Sequence, residues 1–478
     1  MHLRNAVLGM LLASQLLAPL ALAAQSLPDM GDVSSQTLSP QQEREIGQTA
    51  MQQIRRSGLL LDDPEVVAYL NAMGHRLVEA ANVGDSRFTF FALSDRSVNA
   101  FAMPGGYIGI HSGLIVAAQH ESELASVLAH EIAHVSQRHV ARMLDGSRSG
   151  AWVSLAAMAV ALLAAHAGQS GMGSAVAMAG AGLATRQQLD FTYAFEQEAD
   201  RIGMQTLQDA GYDPAGMPAF FERLQRHNRI IEANAPEFLR THPVTYKRIA
   251  DAQARVADRP YRQVPDSLDF LFLREKLRAQ QLGGQAAVDF YQKTLGDKRY
   301  ASEVAARYGL ALSHYQARDY DLAWQALQQA RAVLAGKSHP ALEFLAGQIR
   351  LDQGRSSEAV AILQAARAQF IGSRALLYGT IDALTAAGKL TEALALVDDG
   401  LSLYPGDAWL YQRAARVYEK QDKPMAKHKA LGEYYVRLQE YGPALEQFQL
   451  ALRQPGNDFH LQSGIDARIR DLEQYRKE

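Results

Sequence analysis

The chain has 478 residues, 48% of them hydrophobic and 21% charged, with a net charge of −3. That is a globular composition with no basic excess for holding nucleic acid. There is no cysteine, which excludes disulfide scaffolds, thiolate metal sites, cysteine nucleophiles and a lipidated N-terminal cysteine; any metal must be held by histidine and carboxylate.

Arg4 precedes an apolar run from Ala6 to Leu22, and Ala21-Leu22-Ala23 closes it. This reads as a secretory leader, residues 1–23, cut near Ala23; Ser14, Gln15 and Pro19 interrupt it too often for a membrane span. Residues 24–38 are a polar linker, and a periplasmic protein is expected. Ser39-Pro40 and Asp63-Pro64 each set a capping side chain before a proline suited to the first helical turn, so two helices are predicted there. The period then changes. Phe88–Leu93 and Val98–Met103 are strand-like, and Pro104-Gly105-Gly106 turns the chain into Tyr107–Ile110, giving a small sheet. Ala118 to Leu144 returns to helix, with Leu124, Leu128, Ile132 and Val135 on one face. Residues 151–184 are apolar and small, read as a buried helical hairpin; a surface touching membrane or apolar substrate is the alternative. Another helix runs from about Arg186 to Gly211, and Asp213-Pro214 caps the next. Pro260 and Pro265 mark a boundary between a domain at 39–258 and a second at 266–470.

The second domain reads as helix throughout. Ala287, Ala323, Ala359 and Ala393 are spaced 36, 36 and 34 apart, with Tyr291, Leu327, Leu363 and Val397 each four later. Gly354 and Gly388 fall five before their anchors, and Pro405 and Pro455 close units. This pattern resembles the tetratricopeptide repeat, a helix–turn–helix stacked into an all-α solenoid, here with four to six units. Ala426 and Ala444 are only 18 apart, so one helix is expected to serve two units.

The chemistry lies in His130-Glu131-Ile132-Ala133-His134. Positions i and i+4 of a helix share a face, so both imidazoles can reach one zinc ion, with Glu131 placed to take a proton from the attacking water. A catalytic site needs a third protein ligand. Glu196 and Asp200 share a face of the later helix; one can bind the metal while the other orients a ligand imidazole. Glu198 points about 160° away from both. Pro243 holds His242 out of helix. From a loop, His242 could bond the oxyanion, cap the helix of Arg248, or act as a fourth ligand that makes the resting site latent. Arg248 is a candidate partner of Asp200 or of a substrate carboxylate. His120, His139 and His166 read as surface, helix end and packing partner, and His111 as a strand-edge residue that could line the cleft. The strand Val98–Met103 is a plausible docking edge for extended chains.

Asn99-Ala100-Phe101-Ala102-x-Pro104-Gly105-Gly106, His130-Glu131-x-x-His134 and Glu196-x-x-Ala199-Asp200 follow one another in that order. Together they resemble the zinc metallopeptidases of the CAAX-prenyl-protease and HtpX type over residues 40–255. The resemblance implies an α+β, mostly helical zincin-type domain with a small sheet, one Zn2+ per chain and endopeptidase activity. It also implies Glu196 as third ligand and Asp200 as proton donor, although an aspartate near zinc is hard to protonate and suits an orienting role better. The family's membrane spans are missing here, so prenylated substrates are not expected. With leader and repeats included, the chain resembles periplasmic quality-control peptidases of Gram-negative bacteria. That implies stalled or unfolded outer-membrane β-barrel proteins as substrates, help in assembling others, and contact of the repeats with the barrel-assembly machinery. The alternative is a repeat-based chaperone or adaptor whose zinc site is structural or latent.

Overall fold

A computed structural model describes residues 38–84, 87–145, 185–230, 237–257, 264–454 and 458–475. The leader, the stretch 151–184 and His166 lie outside the described residues. Helix α1 (Pro40–Arg56) starts on a reciprocal cap in which Ser39 and Gln42 each accept the other's backbone N–H. Helix α2 (Pro64–Ala81) is capped by the Asp63 carboxylate, as its sequence predicts. Strands β1 (Thr89–Leu93), β2 (Ala100–Met103) and β3 (Tyr107–His111) form one sheet in the order β1-β3-β2. β1 runs parallel to β3 and β2 antiparallel to it, which leaves β2 on the edge.

The helix expected over 118–144 is two, and a short third one precedes them. Helix α3 (Ser112–Ala117) ends in extended backbone at Ala118, α4 (Glu121–Ser136) follows, and α5 (His139–Asp145) starts after a second break. That break rests on Arg138, which is left-handed at φ 51°. Its guanidinium donates to Leu38 O at 2.6 Å and to Glu43 Oε1 at 3.1 Å, so α1 ties down a conformation that costs a non-glycine residue energy.

Helix α4 is buried continuously from Ser122 to Ala133 and forms the axis of the domain. Helix α6 (Thr185–Asp209) packs along it, and Gly203 makes the approach possible: a Cβ there would lie 3.0 Å from His130 N. Helix α7 (Gly216–Ile230) covers the start of α4; α8 (Glu237–Thr241) and α9 (Tyr246–Ala257) close the layer behind α6 and α7.

The repeats comprise α10 (Leu268–Leu282), α11 (Gly284–Gly296), α12 (Glu303–Gln316), α13 (Tyr320–Val333), α14 (Pro340–Asp352), α15 (Ser356–Gln369), α16 (Arg374–Ala386), α17 (Leu390–Leu403), α18 (Ala408–Lys420), α19 (Pro424–Arg437), α20 (Tyr441–Leu452) and α21 (Phe459–Tyr475). The anchors Ala287, Ala323, Ala359, Ala393 and Ala444 are all fully buried, because only a methyl group fits between the paired helices. Helix α19 packs on both α18 and α20, with Phe448 against Gly432 as Leu363 lies against Gly347, so it is shared between two hairpins.

One hydrophobic cluster runs without interruption from Val66 to Ile349, joining the repeats to the preceding domain. Helix α2 packs against α10 and α16, and α10 against α3. Glu65 and Tyr69 of α2 share a groove with Phe272, Tyr308, His339 and Arg374. Lys276 of α10 reaches Asp63 and Glu65 at 2.5 Å each. Among the described residues, no helix is long and apolar enough to cross a membrane.

Candidate metal centre

The α4 periodicity brings His130 and His134 to one face with their Nε2 atoms 3.0 Å apart. Helix α6 returns Glu196 against both: Oε2 lies 3.4 Å from His130 Nε2 and Oε1 3.3 Å from His134 Nε2. Pro243 stops α8 at Thr241, and His242 turns inward. Its Nδ1 is 3.0 Å from Glu196 Oε1 and 3.3 Å from His130 Nε2. The four ligand atoms all fall within 4.8 Å of one another.

This donor set fits a small divalent cation. A tetrahedron with bonds of about 2.0–2.1 Å has edges of about 3.3 Å, close to the observed separations. Two imidazole nitrogens turned toward each other at 3.0 Å need a proton or a cation between them. Without a cation their protonation splits: burial pushes His134 down to about 3, while Asp200 and Glu196 overcome burial and push His130 up to about 10. Burial opposes charge on Glu196 as well, yet the surrounding His242, His130 and His134 hold its carboxyl well below the ordinary value.

Glu131 lies beside the cage, with both carboxylate oxygens buried and no well-formed hydrogen bond to either. The His242 ring stands next to it, with Nε2 3.5 Å from Oε1. Burial raises its carboxyl, only partly offset by His242, His130 and the Ala102 backbone. Such a group is short of a proton donor and positioned to accept one.

Asp200 does not enter the cage. Its Oδ1 lies 3.0 Å from His130 Nδ1, on the ring edge away from the ligand atoms. Arg248 grips the same carboxylate through Nε at 2.6 Å and Nη2 at 2.7 Å, while Nη1 donates to Pro243 O at 2.9 Å and lies 2.8 Å from Glu196 Oε2. Burial works against the Asp200 charge, but His130 and Arg248 hold its carboxyl below the usual range. Arg248 therefore meets Asp200, one of the two partners its sequence position suggests.

Two residues that sequence patterning sets aside reach the site. His139, read as a helix end, is buried with Nδ1 2.8 Å from His134 Nδ1, and its ring stacks on Phe195 at 4.5 Å. Glu198, pointing away from Glu196 and Asp200, lies 3.3 Å from His139 Nε2. The missed signal is the left-handed Arg138, which no hydrophobic period reports. His111 is the buried last residue of β3, 2.7 Å from Ser97 Oγ, and does not line the cleft. His120 is exposed near Asp266. Phe101 and Met103 of the edge strand line the cleft together with Val135, Val140, Met143 and Phe195.

Residues 64–256 match the model of peptidase family M48. The β-barrel assembly-enhancing protease of Escherichia coli (strain K12) is 39% identical over 350 residues, covering 72% of this chain and 70% of that one. The protein of the same name from Yersinia pestis is 34% identical over 393 residues, covering 80% and 79%. Among solved structures, YrrB, a tetratricopeptide-repeat protein with an unusual peptide-binding site, matches 38% of this chain and 92% of its own at 20% identity and a TM-score of 0.29.

Proposed function

Since this chain belongs to peptidase family M48 and is a metalloprotease, we propose that it is a periplasmic zinc endopeptidase acting on outer-membrane β-barrel proteins, degrading stalled or misfolded ones and aiding the assembly of others. The observation that carries the peptidase reading is the cage of His130, His134 and Glu196 with the buried Glu131 carboxylate beside it. The name of these relatives supports the substrate class, and the Arg4–Ala23 pattern supports export. Residues 39–258 form the peptidase part of this reading, and the repeats of 266–470 offer surface for unfolded chains and the barrel-assembly machinery.

His130, His134 and Glu196 would hold the ion. Bound there, zinc would supply a Lewis acid that polarises the scissile carbonyl and makes a water acidic near neutral pH. The chain supplies the remaining parts. Glu131 accepts the proton of the attacking water at a carboxylate oxygen and passes it to the leaving amine. Asp200, fixed by Arg248, keeps the His130 proton on Nδ1 and leaves Nε2 free for the metal. The edge strand β2 offers main-chain groups to an extended substrate, a recognition mode that reads little sequence.

His242 favours a closed resting state. With Nδ1 among the candidate ligand atoms, His242 would leave a bound ion no place for water; withdrawn, the same ring would be free to donate to the oxyanion. This is also the observation that supports the second reading, a repeat-based chaperone or adaptor with a silenced metal site.

The deciding experiment incubates a urea-unfolded outer-membrane barrel protein with wild type, Glu131→Gln and His242→Ala. Cleavage by wild type or His242→Ala, abolished by Glu131→Gln or a chelator, is expected. No cleavage by any of them overturns the peptidase reading and leaves the adaptor.

A further inference from the structure

His134 is held from behind by a chain of side chains that the proposed chemistry does not use. Its Nδ1 lies 2.8 Å from His139 Nδ1, His139 Nε2 lies 3.3 Å from Glu198 Oε2, and Arg142 Nη1 donates to Glu198 Oε2 at 3.0 Å. Phe195 stacks on the His139 ring with the planes 19° apart, and the Arg142 guanidinium covers the same Phe195 ring at 4.7 Å. These groups come from α4, α5 and α6, so the contact is not a local accident of one helix.

The tautomers follow from the geometry. His134 turns Nε2 into the cage, so a ligand there needs the lone pair of Nε2 and must carry its proton on Nδ1. That proton faces His139 Nδ1, which must accept it. His139 is then protonated on Nε2, the atom facing the Glu198 carboxylate. Every donor has an acceptor, and the chain ends on the positive charge of Arg142. Had α4 continued as one helix, His139, five positions after His134, would point about 140° away from it. The left-handed Arg138 brings the ring back.

We infer that His139, oriented by Glu198, is the positioning residue that fixes the tautomer and ring orientation of His134 for metal binding. It is the counterpart, on the second imidazole, of Asp200 and Arg248 on the first. A neutral imidazole in this place binds the His134 proton without adding a negative charge to a cage that already holds Glu196 and faces Asp200.

This inference rests on the metal-site reading, and one experiment separates the two. Zn2+ affinity of the full-length apo chain is measured by competition with a chromophoric chelator, for wild type, His139→Leu, His139→Asn and Glu198→Gln, with thermal unfolding of each apo form as control. His139→Leu should weaken Zn2+ binding about 10–100-fold. His139→Asn should restore most of it, since its Oδ1 sits where Nδ1 was and accepts the same proton; Glu198→Gln should lose less than His139→Leu. Equal affinity in wild type and His139→Leu overturns the inference, as does equal loss in His139→Leu and His139→Asn, which would make the ring mere packing on Phe195. Failure of wild type itself to bind Zn2+ overturns the metal centre and the inference with it.

Discussion

Asp266 and Glu121 cap each other's helices across the junction between peptidase domain and repeats. The Asp266 Oδ1 accepts the Glu121 backbone N–H at 2.7 Å, at the first residue of α4. The Glu121 carboxylate in return accepts the Ser267 N–H and hydroxyl, each at 2.8 Å, at the start of α10. Tyr69 of α2 donates to the same carboxylate at 2.9 Å. The helix that carries both imidazoles thus begins on a side chain of the repeat segment.

Removing either cap is expected to lower stability by about 1 kcal/mol. Because the two caps share one junction, Asp266→Ala and Glu121→Ala together should lose less than the sum of the single changes. Urea unfolding of the four proteins checks this, and strict additivity would mean that the caps act independently.

Arg248 has a side chain with no exposure and four contacts to three partners, Asp200, Glu196 and the Pro243 carbonyl. Arg248→Met leaves Asp200 and Glu196 buried without their cation, and should destabilise the apo protein by about 3–5 kcal/mol. Arg248→Lys should recover little, since an ammonium cannot grip Asp200 through two parallel bonds. Chemical denaturation of the chelated protein is the measurement; full recovery by lysine would reduce the interaction to simple charge.

Lys276 ties the repeats to α2 through Asp63 and Glu65. Burial disfavours its charge, but the two carboxylates outweigh this and raise its pKa. A raised amine contributes stability in full below its unfolded value and loses it as pH rises through the folded one. The deficit of Lys276→Met, about 3 kcal/mol, should therefore be constant between about pH 6 and 9 and shrink only in stronger alkali. A deficit that varies across the neutral range would point to another titrating group.

Corresponding turns of successive hairpins place Arg318, Gly354, Gly388 and Asp422 in the left-handed region, and Gln439 sits there in the last shared turn. Gly354→Ala should destabilise the solenoid by about 1 kcal/mol, while Gln439→Gly should be neutral or stabilise it slightly. Thermal melts of both variants give the sign directly.

The sequence patterning made much of this molecule legible. Ser39-Pro40 and Asp63-Pro64 announce α1 and α2 because capping is a local property, and the buried alanines announce the repeats because stacked hairpins reuse one geometry. His130 and His134 are visible because four residues on a helix fix a common face. What escaped are the places where distant parts of the chain decide. Arg138 is left-handed because Leu38 and Glu43 hold it, and without that kink neither His139 nor Glu198 can be connected to the metal centre. The break at Ala118–His120 is likewise set by tertiary partners: Arg274 of α10 donates to the Ala118 and Gln119 carbonyls.

Helix α2 packs against α10 and α16 and lines a groove with them. In thermodynamic terms, this face of the solenoid already has a ligand at very high effective concentration, covalently supplied. A partner that needs the same surface binds only those molecules from which α2 has departed, so its measured Kd equals the intrinsic value divided by their fraction. Helix α2 also contacts α4, so a partner strong enough to win that competition would disturb the packing of the helix that carries His130 and His134.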